Sequence, residues 1–139
     1  MAARILIIED DPHVVLFLST LLQDHGFQTL SASNGLEGWQ MIDREHPDLV
    51  LLDLMMPHKS GISLFSDMKK HEEYKEIPVI MVTGISGETG IELESFLTRG
   101  ENKTPGTVPF RPDGYIEKPI DPERLIALIK EVLESLWKR

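Results

Sequence analysis

The chain has 139 residues, 41% of them apolar and 27% charged, the composition of a globular protein with one domain and one core. It contains no cysteine, which excludes disulfides and thiolate metal sites, and no apolar run approaches the roughly 18–20 residues that span a bilayer. The net charge is −9 without any stripe of Lys or Arg, so direct nucleic-acid binding, which depends on neutralising phosphates, is not expected.

The first residues, Met1-Ala2-Ala3-Arg4, lead straight into an apolar run, so no secretory signal is expected, and the default expectation is a cytoplasmic protein without membrane association. Residues 4–9 read as a first strand, because an unbroken β-branched and leucine run marks a parallel strand buried on both faces. Asp11-Pro12 supplies an N-cap and a proline at the first helical position, opening a helix to about His25. Val14, Phe17, Leu18, Leu21 and Leu22 give it an apolar stripe, and Gly26 ends it. Residues 27–32 form a second strand, and Ser33-Asn34-Gly35 turns into a helix whose buried stripe is expected to be Leu36, Trp39 and Ile42, ending at Pro47.

Residues 48–53 are a third strand, and Ser60-Gly61 opens a helix with Ile62, Phe65 and Met68 on one face. Residues 78–83 are a fourth strand. From 84 to 99 the helical signal weakens, since Gly84, Gly87 and Gly90 each cost helix stability, although Ile91, Phe96 and Leu97 favour a helix in the second half. Residues 100–112, with three prolines and two glycines, read as a loop. Residues 114–117 are a short fifth strand, and Asp121-Pro122 starts a final helix striped by Leu125, Ile126, Ile129, Val132, Leu133 and Leu136. Five strands alternating with helices predict an α/β fold: a doubly wound, flavodoxin-like five-stranded parallel sheet covered on both faces.

In such a sheet the strand ends share one edge, and ligands bind there. Those ends supply Glu9-Asp10, Asp53, Thr83 and Lys118. Carboxylates crowded together repel one another and suit a hard divalent cation, so Glu9, Asp10 and Asp53 would hold Mg²⁺. The set fits phosphoryl transfer to a carboxylate, with Asp53 as nucleophile. The Thr83 hydroxyl could donate to one phosphoryl oxygen, and the Lys118 ammonium could pair with another.

The segments Ile8-Glu9-Asp10-Asp11-Pro12, Leu52-Asp53-Leu54-Met55-Met56-Pro57 with Gly61, Val82-Thr83 and Gly114-Tyr115-Ile116-Glu117-Lys118-Pro119 closely resemble the receiver domain of two-component response regulators. The resemblance covers nearly the whole chain and keeps the motifs in order. It implies a CheY-like sheet of strand order 2-1-3-4-5. It further implies that Asp53 accepts a phosphoryl group, with Mg²⁺, from the phosphohistidine of a sensor histidine kinase or a histidine phosphotransfer protein. By the same resemblance Glu9 and Asp10 are the metal-binding acids, and the backbone carbonyl of Met55 is a third protein contact to the metal. Thr83 and Lys118 sense the phosphoryl group, and Tyr115 is the aromatic switch. Output passes to a downstream protein through the face of the fourth predicted helix, fifth strand and final helix, where receivers also form homodimers. The family usually has a cis bond before the matching proline, here Lys118–Pro119.

Two features depart from the family pattern. Gly84 stands where alanine is usual, and the stretch from Thr83 to Lys118 is longer by roughly a dozen residues, above ordinary loop lengths. The expectation is one receiver domain over 1–139, with an insertion near 100–112 and no output domain in this chain. Val108 and Phe110 in the insertion would reshape the partner face, against the plainer reading of a tolerated surface loop.

Such a domain would be no enzyme beyond its own phosphorylation and dephosphorylation. A phosphatase like the haloacid dehalogenases would need an acid two residues after the nucleophile, where Met55 stands. A flavodoxin-like cofactor binder would not have an acidic first loop. A receiver fold kept for phosphorylation-independent interaction is the remaining alternative. The five histidines (His13, His25, His46, His58 and His71) share no ligand spacing and read as solvated; Trp39 and Trp137 read as helix-face packing.

Overall fold

The computed structural model describes residues 2–54, 61–83 and 112–137, apart from the side chains of Ile62 and Trp137. Among them are five strands, β1 (Arg4–Ile8), β2 (Gln28–Ala32), β3 (Leu49–Asp53), β4 (Val79–Thr83) and β5 (Gly114–Glu117). They form one parallel sheet in the order β2-β1-β3-β4-β5. The described helices are α1 (Pro12–Asp24), α2 (Gly35–Glu45), α3 (Gly61–Lys70) and α4 (Pro122–Trp137).

Strand side chains alternate between the two faces, and here both faces are dry. Ile5, Ile7, Leu49, Leu51, Ile80, Val82 and Ile116 pack under α1 and α4, against Leu18, Leu22, Leu125 and Ile129. Leu6, Ile8, Val50, Leu52, Val79 and Met81 pack under α2 and α3, against Ile42, Leu64, Phe65 and Met68. That double burial is why these strands read as unbroken apolar runs.

The local signals act as expected. The Asp11 carboxylate accepts from the His13 amide at 2.9 Å to cap α1, and the Asn34 side chain accepts from the Glu37 amide at 2.8 Å to cap α2. Gly26 leaves α1 at φ +88°, a left-handed conformation that glycine adopts without steric cost. The start of β1 is tied down by Arg4, whose amide donates to Asp48 and whose guanidinium donates to the carbonyl and carboxylate of Glu45.

Some expectations fail in detail. Leu36 is 61% exposed rather than buried. The buried side of α2 is Gly35, Gly38 and Ile42, because Gly38 lets the helix settle on Ile8 and so turns Leu36 outward. On α1 the buried pair is Leu18 and Leu22, leaving Phe17 42% and Leu16 65% exposed. Tyr74, which the sequence pattern did not single out, is among the largest fully buried side chains. Its hydroxyl donates to Asp43, and its ring stacks on His71 at 4.1 Å and meets Trp39 edge-on at 5.5 Å. His71 is thus half-buried against aromatic rings and not a solvated histidine, whereas His13 and His25 are exposed as expected. Trp39 packs from its helix face as expected. His58, Trp137's side chain, the helical stretch within 84–99 and the insertion up to 111, with Val108 and Phe110, lie outside the described residues.

Candidate functional site

The parallel register sets the strand ends level. Ile8 lies beside Leu52, Asp53 beside Val82, and Thr83 beside Glu117. The ladders run slightly past the strands: the Glu9 amide donates to Ala32 O at 3.0 Å, the Leu54 amide to Val82 O at 3.2 Å, and the Lys118 amide to Thr83 O at 3.0 Å. Backbone pairing thereby delivers Glu9, Asp10, Asp53, Thr83 and Lys118 to one edge of one sheet.

Glu9, Asp53 and Thr83 are each only 3% exposed, whereas Asp10 is exposed. One carboxylate oxygen from each of Glu9, Asp10 and Asp53 lies within 4.8 Å of the others. The Lys118 ammonium stands 3.4 Å from Glu9 Oε2 and 3.6 Å from Asp53 Oδ2. Glu9 Oε1 also accepts from the Asp11 amide at 3.2 Å, which fixes the direction of its carboxylate.

Two carboxylates this close and this dry cannot both ionise freely. Burial pushes the Glu9 carboxyl up to about 7, and a hydrogen bond to Asp53 and the charge of Asp53 add to the rise; the Asp11 amide and Lys118 oppose it. For Lys118, burial alone would lower the ammonium, but the charges of Asp53 and Glu9 outweigh it and hold the pKa above its ordinary value.

The donor set fits a hard divalent cation. Among the described residues it offers carboxylate oxygens, and a cation between them would relieve their mutual repulsion. Lys118 bridging Glu9 and Asp53 adds a positive charge beside the cluster.

Glu9, Asp10, Asp53 and Lys118 therefore meet, and Thr83 ends the strand beside Asp53 at the same edge. Tyr115 lies on β5 beside Met81, 38% exposed, and the Lys118–Pro119 bond is cis. The Met55 carbonyl lies outside the described residues. The sequence marked Gly61 as a helix start and as part of the receiver-like motif after Asp53, and the structure places it against the backbone of Asp53 and Leu54.

Residues 5–105 match the family model described as the response regulator receiver domain. Protein PilH of Pseudomonas aeruginosa is 37% identical over 131 residues, covering 94% of this chain and 98% of PilH. The phosphate regulon transcriptional regulatory protein PhoB of Escherichia coli is 32% identical over 98% of this chain but only 54% of PhoB. The chain thus spans about half the length of some curated relatives and nearly all of another. A CheY-like response regulator receiver domain protein from Methanospirillum hungatei superposes with a TM-score of 0.81 at 28% identity, over 99% of this chain and 98% of that one.

Proposed function

Because the chain belongs to the response regulator receiver domain family of two-component systems, we propose that it is a phosphorylation switch with Asp53 as phosphoacceptor. The observation that carries this reading is the convergence of buried Asp53 with Glu9, Asp10 and Lys118, three acids and one ammonium within reach of a single phosphoryl group.

In the proposed step an Asp53 carboxylate oxygen attacks the phosphorus of a phosphohistidine on a sensor kinase or phosphotransfer protein. The P–O bond forms as the P–N bond breaks, and the imidazole recovers the electron pair and takes a proton from solvent. Glu9, Asp10 and Asp53 are the residues that would hold Mg²⁺, which when bound offsets the charge on nucleophile and phosphoryl oxygens together. Lys118 already faces Asp53 Oδ2 and needs to move little to pair with a phosphoryl oxygen. The Thr83 hydroxyl, at the end of the adjacent strand, donates to another. Tyr115, two residues before Glu117 on the same strand, follows Thr83 and alters the β5–α4 face offered to a downstream protein or a second copy.

The reading treats 1–139 as one receiver domain, with the longer Thr83–Lys118 stretch bearing on partner choice. The domain catalyses nothing beyond its own phosphorylation and dephosphorylation.

The test is intact mass after incubation with acetyl phosphate and Mg²⁺. A gain of one phosphoryl group that disappears in Asp53→Asn and in chelator supports the reading. No gain, with Mg²⁺ binding measured independently, would leave a receiver fold that signals without phosphorylation.

A further inference from the structure

Gly61, the first residue of α3, lies directly against the strand end that carries Asp53. A Cβ built on Gly61 would lie 2.7 Å from the Asp53 backbone oxygen, 2.9 Å from Leu54 Cα and 3.1 Å from Leu54 Cδ2. Two of these three are backbone atoms, which no rotamer change can withdraw. By contrast, a Cβ on Gly38 would lie 2.7 Å from Ile8 Cδ1, the tip of a flexible side chain.

Relief to an ordinary contact of 3.4 Å asks for about 0.7 Å of movement at Gly61. The two sides are not equally free to move. Helix α3 is locked by Leu64, Phe65 and Met68, all at most 1% exposed. The Asp53–Leu54 peptide is the last of its strand, and the Leu54 amide makes a long 3.2 Å bond to Val82. The strand end is the softer partner, and the carboxylate that rides on it faces Glu9 and Lys118.

We propose that Gly61 is a positioning residue for the phosphoacceptor, its missing side chain setting where Asp53 sits between Glu9 and Lys118. This rests on the reading of Asp53 as phosphoacceptor, but it also governs cation binding, which can be measured apart from phosphorylation. The chemistry is unchanged: Asp53 attacks the donor phosphorus, and only the distance and angle of attack move. Misplacements of this size cost large factors in rate because effective molarity depends steeply on geometry.

The experiment compares wild type, Gly61→Ala and Gly38→Ala in the full chain. Far-UV circular dichroism and urea unfolding report the folded fraction, calorimetry the Mg²⁺ affinity, and intact mass the phosphorylation rate at saturating acetyl phosphate and Mg²⁺. The expected result is a folded Gly61→Ala protein whose rate per folded molecule falls about tenfold or more, with Mg²⁺ affinity weakened several-fold. Gly38→Ala should stay within twofold on both readouts. A folded Gly61→Ala protein with wild-type rate and Mg²⁺ affinity would overturn the proposal. So would an unfolded one, which would assign Gly61 to the architecture of the core. If wild type itself takes no phosphoryl group, the phosphoacceptor reading falls, and unchanged Mg²⁺ affinity in Gly61→Ala then refutes the positioning role separately.

Discussion

Replacing Glu9 by glutamine should stabilise the protein in the absence of metal while destroying its response to metal. Glu9 titrates near 7 in the fold against an ordinary 4.5, because it is buried and faces Asp53. A raised carboxyl favours folding when protonated, so its contribution is fully present below about 4.5 and is lost as the pH rises through about 7. At about 1.4 kcal/mol per pH unit, the loss amounts to about 3 kcal/mol, most of it between pH 5 and 8. Glutamine copies the protonated acid: its carbonyl oxygen can still accept from the Asp11 amide, and its amide can donate to Asp53. The variant should therefore match wild type near pH 4.5 and exceed it by about 3 kcal/mol at pH 8, or about 10 °C in Tm for a domain of this size. Urea and thermal unfolding in chelator across that pH range supply the assay, and the difference between the two proteins removes the other titrating groups. Saturating Mg²⁺ should reverse the order, since ligand bound only to the folded state adds stability to wild type alone. A difference that is flat with pH, or Mg²⁺ that stabilises both proteins equally, would refute the account of the site.

Lys118→Ala should slow phosphorylation by acetyl phosphate about 10- to 100-fold, the worth of one charge-assisted contact to the transferring group, with the fold retained by circular dichroism. Removing Mg²⁺ with chelator should abolish the mass gain in wild type, and restoring it should recover the gain, whereas Asp53→Asn should show none in either condition. Ile129→Ala, at a fully buried position between α4 and the sheet, should cost about 2–5 kcal/mol in urea unfolding without changing Mg²⁺ affinity. Tyr74→Phe removes the hydroxyl that donates to Asp43 and should lower Tm; an unchanged Tm would mean that water replaces the bond at no loss.

Sequence carried the strand pattern because its cause is local. A strand buried on both faces must be apolar at every position, and a helix start needs a cap, so runs such as 49–52 and pairs such as Asp11-Pro12 are readable without a partner. The site followed from the same rule: parallel strands end at one edge, and acids standing just where an apolar run stops must meet there. The meeting of Glu9, Asp10, Asp53 and Lys118 was legible for that reason, although they span more than a hundred residues of chain.

What sequence could not carry depends on which way a helix rolls and how closely two backbones approach. Leu36 fits an apolar stripe as well as Gly38 does; only the contact of Gly38 with Ile8 decides that the helix turns Leu36 outward. Tyr74 sits in a polar stretch, and its burial comes from remote packing: Asp43 and Trp39 of α2 meet its hydroxyl and ring, and Leu64, Phe65 and Met68 of α3 share its core cluster. The elevated Glu9 carboxyl and the place of Lys118 between two acids are likewise products of distance. Residue types and their order along the chain determined the fold and which residues share the strand-end edge. Depth, contact and charge separation, which arise only when remote segments pack, decided its electrostatics and gave Gly61 its place against Asp53.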